Sequence, residues 1–224
     1  MPVLVNKIMI QNKSKYSVWY VSLLLLWLIL ISGCAAVEAV KQNTKTQQTV
    51  LQTYSFEPAL SIQPAARKSK LVIAVLKPRA AAPYRAARMA YSEAAYELNY
   101  YINNEWASPP AAMLEPFIVK ALEQSQAFDE VVSGSNNSVA DIVLDIELID
   151  IKHQYSDAQS VGVVTLRAQF IDLAGRRIIG VHELSAQSPA ASNSPYGGVA
   201  AINGALSQVL VDLANYCSRE LPLR

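Results

Sequence analysis

The chain has 224 residues, 52% of them apolar, with 19 basic side chains, 18 acidic side chains, two histidines and two cysteines. A formal charge of +1 leaves no basic footprint for nucleic acid. Two cysteines, Cys34 and Cys217, are too few for a disulfide framework, and the length suits one domain plus a tether.

The first element is an export signal. Lys7, Lys13 and Lys15 form a positive n-region, Val18 to Ile31 is an apolar run, and Ser32-Gly33 precede Cys34. Ile31-Ser32-Gly33-Cys34 reads as a bacterial lipobox. Small side chains let a peptidase take the backbone in extended form, and the cysteine thiol accepts diacylglycerol before the cut. An uncleaved transmembrane helix is the alternative. No charge occurs from Tyr16 to Val37, and a span needs about 20 apolar residues. The strongly apolar stretch is shorter than that, and Gly33 interrupts it. Either way the lysines stay in the cytoplasm and the rest is exported. Met9 is a second candidate initiator.

On the lipobox reading, residues 1–33 are removed and Cys34 becomes the first residue, carrying diacylglycerol and an N-acyl chain. No other cofactor is expected. The mature chain then has 16 basic and 18 acidic residues. It lacks a polybasic segment for anionic lipid, so the acyl chains must hold the membrane. Residues 34–52 are rich in Gln, Thr, Asn and Ala without apolar periodicity, and read as a flexible lipidated tether with a mean reach of roughly 25 Å. Residues 53–224 form the folded domain.

Within the domain, Tyr54-Ser55-Phe56 begins a short strand, and Ile62–Ser69 is a connection. Lys70–Lys77 is a strand buried on both faces, and Pro78–Tyr84 is a loop. The tyrosine-rich stretch reads as strand Arg88–Tyr91, a turn at Ser92–Ala95, and strand Tyr96–Ile102. Ser108 caps a helix with Pro109 at its first position. Leu114, Phe117, Ile118, Ala121 and Leu122 make its buried face. Pro116 places the start of the regular helix near Ala112, where it costs no internal bond. Phe128–Val132 is a short strand leading to a turn at Ser133–Ser138. Ala140–Lys152 alternates, with a phase change after Leu148 that predicts a bulge. Val161–Asp172 and Arg177–Ala186 form a hairpin about Asp172-Leu173-Ala174-Gly175. Ser194-Pro195 opens the last helix, whose buried stripe is Val199, Ile202, Leu206, Leu210, Leu213 and Cys217, with Asp212 and Glu220 outside it. With no βαβ repeat visible, this order predicts an α+β domain: a mostly antiparallel sheet with two principal helices packed on one face.

Catalytic signatures are missing. His153 ends a strand and His182 sits mid-hairpin; both read as solvated polar residues. No Gly-x-Ser-x-Gly elbow, Walker A loop or zinc-protease motif is present. Asp145 and Glu147 share a strand face, which fits an outer surface better than an acid/base pair. Gly197-Gly198 fits close packing, and Cys217 a small buried apolar group. The chain reads as non-enzymatic, without a metal site.

Several segments in order resemble the ABC-type transport auxiliary lipoprotein family, from about Tyr54 to Leu221. They are Leu71–Leu76 before a Pro-containing loop, Arg88-Met89-Ala90-Tyr91, Leu98-Asn99-Tyr100-Tyr101, and Trp106-Ala107-Ser108-Pro109-Pro110. Phe128–Val132 follows, with Ala127 in place of a glycine, then Ala140-Asp141-Ile142-Val143-Leu144, Phe170-Ile171-Asp172 with Gly175-Arg176, and Val199-Ala200-Ala201. Ser92 departs from the family, where arginine commonly stands. The resemblance implies a periplasmic auxiliary of an MCE-type lipid transport system. The MCE-domain protein, ABC permease and ATPase would be separate chains, and a homo-oligomer is possible for this one. Ala35 after the cysteine resembles outer-membrane sorting, with inner-membrane anchoring the alternative.

Six aromatics cluster in 23 residues: Tyr84, Tyr91, Tyr96, Tyr100, Tyr101 and Trp106. Aromatics are enriched at interfaces, so these are the candidate partner-binding surface; alternate ones would equally pack under helices. Two rival functions share the anchor and size. One is an assembly lipoprotein for an outer-membrane barrel or lipopolysaccharide export. The other is a direct lipid carrier, which needs an apolar cavity.

Overall fold

The computed structural model describes residues 50–134, 140–219 and 221. The expected signal segment, Cys34, the tether as far as residue 49, part of the Ser133–Ser138 turn and Glu220 lie outside the described residues. The strands are β1 (Gln52–Tyr54), β2 (Val72–Val75), β3 (Arg79–Ala80), β4 (Arg88–Ser92), β5 (Asn99–Trp106), β6 (Glu130–Ser133), β7 (Ile142–Gln154), β8 (Val161–Asp172) and β9 (Arg177–Pro189). The α-helices are α1 (Pro110–Ser125) and α2 (Pro195–Arg219).

Strand β7 is the hub of a nine-stranded sheet. One edge pairs antiparallel with β8 along its whole length, and β8 pairs antiparallel with β9. The other edge is shared by three short strands in succession, all parallel to it: β2 at Ile73↔Ile142, β3 at Arg79↔Glu147 and β4 at Tyr91↔His153. Beyond them, β6 joins β2 in parallel, β5 joins β4 antiparallel, and β1 joins β5 in parallel. The sheet is therefore mixed, with five of its eight pairings parallel. The α+β class holds, but the expected mostly antiparallel arrangement is corrected. Alternation along a strand reports which face is buried; it carries nothing about the direction of a partner distant in sequence. A parallel crossover does exist, between β2 and β6, but β3 to β5 are threaded into it ahead of α1, so no βαβ pattern shows in the sequence.

Both helices cover the same face. From the sheet, Ile73, Val75, Ile142, Leu144, Ile146, Leu148, Val164, Leu166, Ala168 and Phe170 enter one core with Leu114, Ile118 and Leu122 of α1 and the α2 stripe. All six predicted stripe residues of α2 are buried. The expected bulge lies between Leu148 and Asp150. Ser194 caps α2 as expected: its Oγ accepts from Gly197 N–H at 3.1 Å.

Other expectations shift. Ser108 does not cap α1; Pro109 holds that position with extended backbone, and its carbonyl accepts from Ala112 and Met113. The helix runs through Pro116 rather than starting near Ala112. The carbonyl that an N–H at 116 would have satisfied belongs to Ala112, on the exposed side, where solvent can serve it. The Pro78–Tyr84 loop holds β3 and a 3-10 turn at Ala82–Tyr84. The second tyrosine-rich strand begins at Asn99 rather than Tyr96, and β1 lies two residues earlier than the strand expected from Tyr54 to Phe56.

Candidate functional site

Strand directions decide which residues meet. β4 and β7 run parallel and finish together at Ser92↔Gln154. β5 and β8 start at that same end, β9 finishes there at Pro189↔Val161, and α2 begins there. Most of the aromatic cluster lies toward this end, with Trp106 closing the far end of β5, and the structure divides it.

Trp106 and Tyr84 are core residues. Trp106 meets Phe56 edge-on with ring centroids 5.0 Å apart. Tyr84 donates to Asp150 Oδ1 at 2.5 Å, and Lys152 Nζ lies 2.6 Å from the other oxygen of that carboxylate. Burial, then the Asp150 hydrogen bond, hold the Tyr84 hydroxyl far above the ordinary phenol range. Tyr100 is half-buried: Arg88 stacks over its ring at 3.8 Å, and its hydroxyl donates to Pro83 O at 3.0 Å. Tyr91 and Tyr101 pack on one another at 4.6 Å, and Tyr155 meets Tyr91 edge-on at 5.9 Å. Tyr96 stands apart. It occupies the β4–β5 turn with φ +68° and is fully exposed. Of the six candidate partner residues, two serve the core, three are held by intramolecular contacts, and one is free.

The Tyr91–Tyr101–Tyr155 group encloses a residue that sequence reasoning misplaced. His153 is fully buried, not solvated. β7 continues past Lys152 to Gln154 with β4 on one side and β8 on the other, which puts position 153 inside the sheet. The first turn of α2 closes over the ring at Gly198, where an added Cβ would lie 2.5 Å from His153 Nδ1. Nδ1 is 2.8 Å from the Tyr101 hydroxyl, which is 2.7 Å from the Tyr155 hydroxyl, which donates to Asn193 O at 3.3 Å. Reading that chain back from the carbonyl, Tyr101 donates to Tyr155 and His153 donates from Nδ1. Nε2 is then a bare acceptor, and it has no protein partner. Burial holds the imidazole below its ordinary range, so the ring is a neutral structural group. Burial, then the Tyr155 hydrogen bond, push the Tyr101 hydroxyl far up. The signal available in the sequence was Tyr155 itself, one residue beyond the strand, where a hydroxyl can close a polar chain.

The remaining polar residues offer little chemistry. His182 is half-buried and stacks on Tyr216 at 4.4 Å with an interplanar angle of 8°. Asp145 is tied to Arg79 at 2.9 Å. Cys217 is buried, and burial pushes its thiol well above the usual range. Among the described residues no cluster of His, Cys, Asp and Glu could hold a metal ion. Beside the Tyr96 turn, a cleft of 530 Å³ opens between the turn and residues 152–157, with Glu93, Glu97 and Asp157 among its lining.

Comparison with known proteins places the chain. Residues 54–214 match the family described as ABC-type transport auxiliary lipoprotein component. The solved structure of a Xanthomonas campestris protein assigned to DUF330 superposes with a TM-score of 0.67 at 23% identity, covering 75% of this chain and 95% of that one. A second structure, of an uncharacterized protein, gives a TM-score of 0.58 at 14% identity, covering 77% and 99%. At these identities the two likenesses concern the fold alone. No curated protein matches the chain significantly.

Proposed function

Because this chain belongs to the ABC-type transport auxiliary lipoprotein component family, we propose that it is the non-catalytic, lipid-anchored member of an MCE-type lipid transport system. Cys34 carries the acyl chains at the periplasmic face of the outer membrane. The domain docks an MCE-domain protein, whose permease and ATPase are separate chains. The family match over residues 54–214 carries this reading, since it spans nearly the whole described domain. The chemistry of the domain supports it: burial holds the His153 imidazole below its ordinary range, and Asp145 is paired with Arg79. Tethering raises the local concentration of the docking surface without any new contact. Tyr84 and Trp106 are enclosed in the core, so the docking contact draws on other surface residues.

Two measurements test the proposal. Cells expressing Cys34→Ser should incorporate no radioactive palmitate into this protein and should accumulate the unprocessed precursor. Affinity purification of the wild-type protein from crosslinked membranes should recover an MCE-domain protein. Normal labelling of the serine variant would remove the anchor; recovery of an outer-membrane barrel instead would replace the docking role with barrel assembly.

A further inference from the structure

Eight large apolar side chains are exposed among the described residues, and they fall into two groups at opposite ends of the sheet. Leu173, Ile178 and Val181 lie at or near the β8–β9 turn. The other five, Val50, Leu51, Tyr96, Ile102 and Tyr196, gather where the chain enters the domain. Register places Val50 beside Ile102. Gln52 pairs with Asn104 in the parallel β1–β5 ladder, so Val50 and Ile102 each lie two residues before that pair. Continuing backwards, both strands head for the β4–β5 turn that carries Tyr96. Tyr196 opens α2, with its ring 6.4 Å from that of Tyr54 at the end of β1. Ile102 is 91% exposed and Tyr96 fully so, and the other three are at least half exposed.

We propose that this end of the domain rests on the surface of the bilayer in which the anchor sits. The inference depends on the lipid anchor at Cys34. The occupant follows from where the chain leaves the described domain. Only residues 35–49 separate Cys34 from Val50, and on the sequence reading of a flexible tether that length would give a mean span of roughly 20 Å. The tether therefore holds this end, and not the β8–β9 end, within reach of lipid, where even weak interfacial affinity suffices. The residue types fit. Tyrosine rings favour the interface between headgroups and hydrocarbon, while Val, Leu and Ile give up exposed apolar area. Glu93, Glu97 and Asp157 stand at the same end and form none of the ion pairs among the described residues. They repel anionic headgroups, so the contact is with zwitterionic lipid. The β8–β9 hairpin is then left facing away from the membrane.

The test uses the full mature, acylated chain on phosphatidylcholine–phosphatidylethanolamine vesicles. With Cys34 acylated and Cys217 buried, Ile102→Cys offers one reactive thiol for an environment-sensitive dye; Val181→Cys is the comparison at the far end. The expected result is a blue shift and quenching by spin-labelled lipid at position 102 alone, both weakened when phosphatidylglycerol is added. A water-like signal at 102 in chains that float with vesicles would overturn the proposal and leave the anchor intact. Equal shifts at 102 and 181 would overturn the orientation. A shift seen only on adding the purified MCE-domain protein would give the patch to a protein and overturn the proposal. Two dyes per chain and no flotation would remove the anchor and the inference together.

Discussion

Gly162 on β8 gives the sharpest test of how α2 is seated. A Cβ at this position would collide with the backbone nitrogen of Ile202 and the carbonyl carbon of Ala201, in the first turns of the helix. The obstacle is main chain, so no rotamer change relieves it, and α2 must back away from the sheet. Overpacking of this kind costs typically about 1–3 kcal/mol, and a main-chain obstacle belongs at the top of that range. Alanine's advantage over glycine within a strand returns about 0.5–1 kcal/mol, leaving a net loss of about 2–2.5 kcal/mol. That is a large share of the roughly 5–15 kcal/mol that holds a typical domain together. At roughly 2–4 °C per kcal/mol for a domain of this size, Gly162→Ala should lower Tm by about 4–10 °C. Gly204→Ala is the internal control. Its Cβ meets only the Ser188 side chain, 2.5 Å from Oγ and 3.1 Å from Cβ. The hydroxyl can swing aside and Ser188 Cβ must yield by a few tenths of an ångström, which offsets the helix-propensity gain of up to about 1 kcal/mol and leaves the change near neutral. Circular-dichroism melts and urea titrations should separate the two variants by about 2 kcal/mol. Gly162→Ala within about 0.5 kcal/mol of wild type would refute the seating of α2 on β8.

Three further outcomes are expected. Tyr101→Phe removes the hydroxyl between His153 and Tyr155 and strands a second buried nitrogen; urea unfolding should show a loss of about 1–3 kcal/mol, with a smaller loss for Tyr155→Phe. The His153 imidazole is held below its ordinary value, so the unfolded chain takes up the proton first. This contribution is fully present above about pH 6.5 and is lost as pH falls below it. Urea midpoints should therefore decline from pH 7 to pH 5, and His153→Leu should flatten that decline; parallel curves would exclude the buried neutral ring. Finally, Trp106→Ala should cost about 3–5 kcal/mol, whereas Tyr96→Gly should be neutral or stabilising by up to about 1 kcal/mol, because it relieves a tyrosine at φ +68°. Equal losses at the two sites would contradict their separation into core and surface.

Much of the domain was legible because local periodicity is strong. The alternation of Val164, Leu166, Ala168 and Phe170 marked β8, and its predicted bounds Val161–Asp172 match the strand. The α2 stripe and its Ser194 cap followed from 3.6-residue spacing and cap chemistry, and the β7 bulge from one break in phase. The helix start at Pro110 was less legible, because two prolines and a serine offer several admissible caps. The aromatic cluster showed its limits at once. Tyr100 and Tyr101 are adjacent in sequence, yet one lies under Arg88 and the other against His153 and Tyr155.

Sequence by itself determined the family, the α+β class, the apolar faces of β7, β8 and α2, and the expectation of an acylated cysteine ahead of a tether. Tertiary structure alone decided that β2, β3 and β4 line up parallel along one edge of β7, and that His153 is sealed beneath Gly198. It also decided that Tyr96, rather than the whole tyrosine cluster, faces outward. The division has a physical cause. Which face of an element is apolar is written in neighbouring residues, whereas which element covers that face, and from which direction, is settled by segments far away along the chain.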